Sequence, residues 1–512
     1  MLSKVWSAAT LGIDAVRIVI EVDCGGYSQQ PGFTLVGLPD ASVREAYSRV
    51  RSALANCGYY LPPRHITVNL SPADVKKEGP GFDLPMAVGI LHAAEFLTDE
   101  DVAGRVFVGE LSLDGGVAPV RGALPISAAF GGDRSVRELI VPAGNANEAA
   151  AVEDVRVIGV KYLTGVIAHI RGESVIAPTQ PTNESGELLG EVADFSEVRG
   201  QSQAKRALEV AAAGGHNVMM IGPPGSGKTM LAKRLPSILP RLSLAESIVT
   251  TKIHSVAGTL PPGSGLISRR PFRAPHHTIS MAGLVGGGSN PKPGEVSLAH
   301  SGVLFLDELT EFRRDTLEVL RQPLEDGAVT IARALRTLTF PSRVTLATAL
   351  NPCPCGFYND HRRQCTCTEQ QIARYLAKIS GPLLDRIDLQ VEVAALSSDE
   401  IMSMEAGEPS ASIRQRVEGA RAIQRERFRR NAIECNAEMT SRHLRRHCEL
   451  DASSRQLLTR AIERLALSAR AHDRILKVAR TIADLTGAER IDSAHISEAV
   501  QYRALDRSYF RG

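Results

Sequence analysis

The feature that most constrains the fold is a glycine-rich segment at 222–229, which reads Gly-Pro-Pro-Gly-Ser-Gly-Lys-Thr. It follows the apolar run Val218–Ile221, which has the composition of a buried strand. A helix-forming run starts directly after it, at Met230. Strand, glycine-rich loop and helix in this order form the P-loop pattern, in which backbone N–H groups surround phosphate oxygens at a helix N-terminus. The pattern predicts an α/β fold that binds a nucleotide.

The P-loop pattern assigns roles to the polar residues within it. Lys228 would reach the β- and γ-phosphates, and Thr229 would ligate Mg²⁺. ATP and Mg²⁺ are therefore the predicted cofactors. The predicted nucleotide ligands are Gly222, Pro223, Pro224, Gly225, Ser226, Gly227, Lys228 and Thr229.

Two further strand ends complete the predicted site. The apolar run Val303–Leu306 is followed by Asp307 and Glu308. We expect Asp307 to hold Mg²⁺ and Glu308 to polarise the attacking water. The run Val344–Leu350 ends at Asn351, whose amide would orient that water against the γ-phosphate. The three strand ends together predict an ATP-hydrolysing site.

This order of P-loop, acidic strand end and polar strand end resembles the AAA+ ATPases. Residues 194–201 resemble the segment with which such modules hold adenine. Residues 382–389 resemble the arginine-finger segment of the MCM and Mg-chelatase branch, which implies that Arg386 acts at a neighbouring subunit's γ-phosphate. A later helical run resembles the sensor-two helix of that branch, which implies a catalytic contact for Arg470, with Arg474 as the alternative. Chemistry shared between subunits requires a ring or another closed assembly.

Four further segments point to a narrower family. They are 270–278 (Arg-Pro-Phe-Arg-Ala-Pro-His-His-Thr), 286–288 (Gly-Gly-Gly), 291–295 (Pro-Lys-Pro-Gly-Glu) and 351–356 (Asn-Pro-Cys-Pro-Cys-Gly). With them, nearly the whole chain resembles the Mg-chelatase-related ComM/YifB family. The resemblance implies a homo-oligomeric, hexameric ATPase ring that acts as a DNA helicase and drives branch migration during natural transformation. Two alternatives stay open: a protein-remodelling subunit closer to Mg-chelatase itself, and a scaffold whose oligomeric state ATP sets.

Two loops carry candidate DNA contacts. Residues 329–340 form two strand-like stretches around a short turn, where related MCM motors have a hairpin that projects into the pore. Arg333 and Arg336 would then contact a phosphate backbone, unless the hairpin is an ordinary one with solvated arginines. The glycine-rich stretch Ala282–Gly294, with Lys292, would be a second pore loop or a plain surface loop. Aromatic residues make up only 4% of the chain, which favours backbone contacts over base stacking.

Charge and composition narrow the class of protein. Residues 401–512 hold 21 Lys/Arg against 15 Asp/Glu, although the net charge of the whole chain is only +2. Such a surplus of basic residues is compatible with phosphate or nucleic-acid contacts, or with arginines that contact a neighbouring subunit's nucleotide. The alternative is a solvated helical surface with many ion pairs. No uninterrupted apolar run approaches the roughly 18 residues that span a bilayer. With eight cysteines, too few for a disulfide scaffold, the sequence predicts a cytoplasmic protein without a membrane span.

Half of the cysteines form one cluster in the sequence. Four thiolates would close a tetrahedral structural Zn²⁺ site. The C-x-C spacing is tighter than the usual C-x₂-C, so reduced structural thiols are the alternative, and His361 is a substitute ligand. The adjacent pair His276 and His277 is interpreted as loop or pore residues, because neighbouring positions seldom supply two ligands to one ion. The candidate zinc ligands are Cys353, Cys355, Cys365 and Cys367.

The N-terminal region resembles a protease domain that lacks its catalytic residues. Residues 77–83 resemble the region around the catalytic serine of Lon-type proteases, with Gly81 at the serine position. Residues 116–124 resemble the segment with the Lon lysine, and Leu124 fills that position. A Ser–Lys dyad needs both a nucleophile and its base. We therefore expect a Lon-like α+β domain without peptidase activity.

A Pro-, Thr-, Ser- and Gly-rich stretch at 176–192 divides the chain as a linker. The predicted fold class is α/β, with an AAA+ core, the Lon-like N-terminal domain and a helical C-terminal lid. Periodicity also predicts a strand at Val106–Leu111, a helix at Ala469–Leu485 and a last helix that Asp492 caps. The predicted domains are 1–175, 193–395 with the insertion 353–367, and 396–512.

Overall fold

The computed structural model describes residues 1–27, 32–61, 63–181, 193–288, 291–333, 336–360, 363–395, 407–431, 433–465, 467–505 and 509–510. The chain forms two compact units. The first comprises Met1–Leu188 with Ser243–Ser268, and the second comprises Leu189–Leu242 with Arg269–Gly512. Residues 243–268, which fall within the predicted ATPase block 193–395, thus belong to the first unit. The domain limits 1–175, 193–395 and 396–512 remain predictions.

Strands and helices are numbered in chain order. The strands are β1 (Leu2–Leu11), β2 (Asp14–Tyr27), β3 (Phe33–Val36), β4 (Arg64–Ser71), β5 (Arg105–Phe107), β6 (Glu110–Leu111), β7 (Val117–Ala118), β8 (Glu138–Pro142), β9 (Val157–Val160), β10 (Val218–Ile221), β11 (Phe272–Arg273), β12 (Gly286–Gly287), β13 (Lys292–Pro293), β14 (Val303–Leu306), β15 (Ala328–Arg333), β16 (Arg336–Pro341), β17 (Thr345–Leu350) and β18 (Leu389–Glu392). The helices are α1 (Ala41–Arg44), α2 (Ala46–Asn56), α3 (Asp83–Ala93), α4 (Asp99–Val102), α5 (Ala123–Phe130), α6 (Ala146–Ala149), α7 (Leu163–Ile170), α8 (Ser202–Gly214), α9 (Lys228–Ile238), α10 (Leu244–Ala257), α11 (Met281–Val285), α12 (Glu295–Leu298), α13 (Arg314–Glu318), α14 (Arg321–Asp326), α15 (Glu369–Leu376), α16 (Gly381–Leu384), α17 (Ser410–Phe428), α18 (Ser441–His447), α19 (Ala452–Leu465), α20 (Ala469–Leu485) and α21 (Ser493–Gln501).

The first unit is built on a seven-stranded mixed sheet in the order β3-β4-β2-β1-β5-β8-β9. Strands β1 and β2 form a long antiparallel pair from Leu2↔Asp23 to Leu11↔Asp14. Helix α3 is buried along its whole length and packs on this pair, which explains its continuous apolar sequence. Its first residue, Asp83, receives bonds of 2.7 and 2.9 Å from the Arg49 guanidinium, so the buried carboxylate is paired.

The two positions that resemble the Lon dyad carry no reactive side chain. Gly81 lies in a short 3-10 turn, Pro80–Phe82, and Leu124 is fully buried on α5. The prediction of a single strand over Val106–Leu111 is wrong, because this stretch forms two separate strands, β5 and β6. The break occurs where the Gly109 N–H leaves the sheet and donates to the Gly81 carbonyl at 2.9 Å.

The second unit holds a five-stranded parallel sheet in the order β11-β14-β17-β10-β18. Strands β10, β14 and β17 are buried at every residue, as expected for the centre of a parallel sheet covered on both faces. Registers of Ile221↔Leu350 and Leu306↔Thr348 align the carboxyl ends of these strands. Ligands bind at this edge of open α/β sheets. The predicted α/β class is confirmed at this level.

Helices α8, α17 and α20 share one apolar core with the parallel sheet of the second unit. Helix α20 has the predicted bounds, and Asp492 accepts the N–H groups of Ala494 and His495, so it caps α21 as predicted. Among the described helices, none is both long enough and apolar enough to cross a bilayer.

Candidate nucleotide site

The P-loop joins the end of β10 to the start of α9, and Lys228 is the first residue of that helix. The Lys228 ammonium donates to the carbonyls of Gly222 and Pro223 at 2.7 and 2.9 Å, and to Asn351 Oδ1 at 3.2 Å. A Cβ on Gly222 would lie 2.1 Å from the Val393 carbonyl, so only glycine fits there. The structure thus brings the predicted lysine and the predicted polar strand end into contact.

Burial changes the acid–base behaviour of this lysine. It lowers the pKa of Lys228 to about 8, because the buried ammonium loses its hydration, while the nearby carboxylates of Asp307 and Glu308 act in the opposite direction. The three acceptors on its ammonium are uncharged. Phosphate oxygens would give this cation negatively charged hydrogen-bond acceptors.

The two predicted Mg²⁺ ligands also meet. Thr229 Oγ1 donates to Asp307 Oδ2 at 2.6 Å, and Asp307 Oδ1 accepts the Glu308 N–H at 3.0 Å. A hydroxyl and a carboxylate are the hard oxygen donors that Mg²⁺ prefers. Their contact across 78 positions of sequence is possible because β10 and β14 flank β17 and end at the same edge of the parallel sheet.

Glu308 has a partner that sequence reasoning missed. Its backbone is left-handed, with φ 50° and ψ 50°, a conformation that a residue other than glycine seldom adopts and that often marks functional sites. Its Oε2 lies 3.4 Å from His277 Nδ1, and the His277 ring meets Phe312 edge-on at 6.4 Å. The interpretation of His277 as a loop or pore residue gave no sign of this contact. No local motif links the two residues, so the sequence held no signal for it.

The predicted adenine-holding segment lies beside the P-loop. Gln201 Nε2 donates to the carbonyls of Ser226 at 3.3 Å and Ala394 at 2.6 Å. The Asp194 carbonyl accepts Arg234 Nε of α9 at 2.9 Å. Both ends of the segment are therefore tied to the nucleotide site, while its contact with adenine stays a prediction.

The predicted arginine finger and sensor-two residues have acidic partners of their own. Arg386 forms an ion pair with Glu325 of α14. Arg470 lies 3.2 Å from Asp385, and the alternative residue Arg474 lies 3.4 Å from Asp388. None of these three ion pairs includes a P-loop residue. The catalytic roles of Arg386 and Arg470 stay predictions.

The two candidate DNA-binding segments form adjoining hairpins. Strands β15 and β16 pair antiparallel from Ala328↔Pro341 to Arg333↔Arg336, and β12 pairs with β13. A Cβ on Gly286 of β12 would lie 3.2 Å from Ile331 Cδ1 of β15, so the hairpins touch. The side chains of Arg333 and Arg336 lie outside what the structure describes; Lys292 is exposed.

The four clustered cysteines converge in space. Their Sγ atoms all lie within 4.8 Å of one another. A cavity of about 790 Å³ beside them is also lined by Glu308, Asn351, Arg374 and Lys378, so the cysteine cluster borders the nucleotide site. The substitute ligand considered from sequence, His361, lies outside the described residues. The converging cysteines are Cys353, Cys355, Cys365 and Cys367.

Comparison with known proteins places this site in a family. Residues 20–145 match the description "Subunit ChlI of Mg-chelatase", 194–401 match "Magnesium chelatase, subunit ChlI", and 407–503 match its C-terminal region. The competence protein ComM of Haemophilus influenzae is 45% identical over 511 residues, which cover 99% of this chain and 98% of that protein. YifB of Escherichia coli is 43% identical over 508 residues, with 99% and 98% covered. The chain belongs to the ComM/YifB family.

Membership in the ComM/YifB family confirms the resemblance that the segments at 270–278 and 351–356 predicted. The Lon likeness is more limited. An archaeal Lon protease of Methanothermobacter thermautotrophicus is 37% identical over 98 residues, which are 18% of this chain and 14% of that protein. This partial match fits the N-terminal likeness predicted from residues 77–83 and 116–124.

Proposed function

We propose that this ComM/YifB-family protein is a cytoplasmic ATPase ring that translocates on DNA and promotes branch migration of recombination intermediates, as in natural transformation. The ATPase part depends on one observation above all. Lys228, the Thr229–Asp307 pair and Asn351 converge where the carboxyl ends of three parallel strands meet. This is the arrangement that phosphoryl transfer from ATP needs.

The residues present fit ATP and Mg²⁺. Lys228 would exchange its carbonyl and amide partners for phosphate oxygens, and Thr229 and Asp307 would hold the metal. Bound Mg²⁺ would neutralise charge on the phosphate oxygens. Asn351 then positions the attacking water, and Glu308 accepts its proton. The helix dipole of α9 adds favourable potential for the phosphates at the P-loop.

The proposed ring rests on the assignment of Arg386 as an arginine finger, because a finger that acts in trans needs a neighbouring subunit. Arg386 is paired with Glu325 of its own chain, so in a homo-oligomer, which we propose to be a hexamer, it would exchange that carboxylate for the neighbouring subunit's γ-phosphate. An arginine supplied in trans typically contributes about 10³–10⁵ in rate. Arg470 would add a second positive charge to the site from α20.

The DNA part rests on the two adjoining hairpins. Both hairpins have a cation at or beside the turn: Lys292 in one, Arg333 and Arg336 in the other. Basic residues at the turns of two adjoining hairpins suit a phosphate backbone, which is contacted without regard to base sequence. The name of the Haemophilus influenzae relative, a competence protein, supports a role in natural transformation.

The double change Arg333→Ala/Arg336→Ala tests the DNA contact. We expect the slope of the logarithm of the binding constant for single-stranded DNA against the logarithm of the salt concentration to become shallower by about two units. Each lost phosphate contact removes about one unit of this slope. ATP binding should stay unchanged. Arg445→Ala/Arg446→Ala on α18 removes the same charge from an exposed surface and serves as the matched control. Equal slopes for both double variants would exclude the hairpin as the DNA contact.

A second function is favoured by a specific observation. All three matched family descriptions name the ChlI subunit of Mg-chelatase. An ATP-dependent subunit that remodels a protein partner would use the same nucleotide site. ATP hydrolysis that responds to a protein partner and not to DNA would favour this alternative.

A further inference from the structure

The cysteine cluster has the dimensions of a tetrahedral metal site. The Sγ atom of Cys353 lies 3.3 Å from that of Cys355 and 3.7 Å from that of Cys365, and the Cys355 and Cys365 sulfurs are 3.6 Å apart. Four sulfurs at 2.3 Å from one Zn²⁺ in a tetrahedron would be roughly 3.8 Å apart. All four cysteines are free of disulfide bonds. The observed separations thus fit thiolates arranged around one ion.

The surroundings of the sulfurs favour a closed structural site. The Cys355 N–H points at Cys367 Sγ and the Cys367 N–H at Cys365 Sγ, both at 3.4 Å. Such N–H groups stabilise thiolates that ligate a metal. Cys353 is fully buried in the apolar core of the second unit. Four protein sulfurs leave no coordination position for water, which is the pattern of a structural and not a catalytic zinc.

The cluster is continuous with the nucleotide site. Cys353 comes two residues after Asn351, which accepts from Lys228. Gly356 follows Cys355 with φ +87°, and a Cβ there would lie 2.6 Å from Pro224 Cδ of the P-loop. The turn that leaves the cluster therefore packs directly on the loop that would hold the phosphates.

Regular secondary structure does not fix the described part of this segment. Between the end of β17 at Leu350 and the start of α15 at Glu369, the described residues form neither a helix nor a strand. We propose that the four cysteines bind one Zn²⁺ and that the metal fixes the loop which supports Asn351 and the P-loop. The part of this inference that concerns nucleotide turnover rests on the proposed ATPase function, whereas the metal site does not.

Metal content tests the site itself. Full-length protein is purified in reducing buffer without chelator, and zinc is measured by inductively coupled plasma mass spectrometry. We expect about one zinc per chain in the wild type and less than about a tenth in Cys365→Ser/Cys367→Ser. Cys57→Ser, which changes a partly exposed cysteine of the first unit, should retain the metal. A wild type that stays free of zinc after dialysis against Zn²⁺, or equal zinc in all three proteins, would overturn the proposal.

Hydrogen exchange tests the link to the P-loop without any need for hydrolysis. After zinc is removed with a chelator, we expect exchange in 222–230 and 351–358 to rise at least about fivefold and to recover when Zn²⁺ is returned. Peptides from β9 and α7 of the first unit should not change. Unchanged exchange in the P-loop would refute the link and leave the metal site standing. An inactive ATPase with the expected exchange would count against the proposed function alone.

Gly356→Ala tests the contact with Pro224, and Gly487→Ala is its matched control. Both glycines have positive φ, +87° and +70°, but a Cβ on Gly487 would meet no described heavy atom within 4 Å. We expect Gly356→Ala to retain zinc and to weaken nucleotide binding at least about threefold, with less than about a twofold change for Gly487→Ala. Equal effects of the two changes on nucleotide binding would exclude the Gly356–Pro224 contact as the link between the zinc site and the P-loop.

Discussion

Lys228 is a buried cation whose acceptors are two carbonyls and one amide oxygen, and this environment makes nucleotide binding depend on pH. The free protein loses the charge of Lys228 as pH rises through its pKa of about 8. Bound phosphates would hold the proton more tightly, so affinity is constant at lower pH and falls above that value. From about pH 7 to about pH 9, we expect the Kd for ATP to rise about tenfold. Isothermal titration calorimetry measures it, and a constant Kd would show that Lys228 does not contact the phosphates.

Glu308 occupies a strained backbone conformation beside His277, which suits a side chain held for a chemical step. We expect Glu308→Gln to bind ATP with unchanged affinity and to lose about 10²–10⁴ in kcat, because an amide cannot accept the proton of the attacking water. Single-turnover hydrolysis with radiolabelled ATP measures the loss. Glu311→Gln, a change at another acid that lines the same cavity, is the control. Normal turnover by Glu308→Gln would exclude Glu308 as the base.

At the scale of single elements, Asp492 caps α21 through two N–H groups. We expect Asp492→Ala to destabilise this helix by about 1 kcal/mol, which raises amide exchange in 493–501 about fivefold. Glu463→Ala on the exposed face of α19 removes a carboxylate that caps no helix and should leave this exchange unchanged. If both variants exchange alike, the cap does not stabilise the helix.

Individual strands and helices were predictable from the sequence to different extents. Strands β10, β14 and β17 were predictable because each is an apolar run followed by a glycine-rich loop (β10) or by polar residues (β14 and β17), and the parallel sheet brings those ends together. Helix α20 followed from its apolar period. The contacts of His277 with Glu308 and of Gly356 with Pro224 were not predictable, because they join distant segments and leave no local pattern.

At the scale of the whole molecule, the chain passes between its two units more than once. It leaves the second unit after Leu242 and returns at Arg269. The intervening helix α10 packs on α5, where Lys252 also pairs with Asp14 at 2.9 Å. The capping residues Ser243 and Glu246 predict that a helix starts here, but nothing in its sequence shows on which unit it packs. Truncation at the predicted linker 176–192 would therefore leave α10 without its packing partner.

Assembly is a property of the whole molecule, because the proposed arginine finger, Arg386, would act on a neighbouring subunit's nucleotide. We expect Arg386→Ala and Lys228→Ala to be inactive when assayed separately. In an equal mixture, an intact finger meets an intact P-loop at about a quarter of the interfaces, so about a quarter of the wild-type ATPase rate should return. The rate is measured over a series of mixing ratios. The absence of any recovery would argue against a finger that acts in trans.

Hydrolysis driven by DNA is the property on which the proposed function depends most. The most direct measurement is the steady-state ATPase rate of the full-length protein, alone and with single-stranded, duplex and four-way-junction DNA, at two salt concentrations. We predict that DNA stimulates hydrolysis and that the stimulation weakens as salt rises, because counterions compete for the phosphate contacts. A rate that is the same with every DNA and at both salt concentrations would contradict a DNA-driven motor.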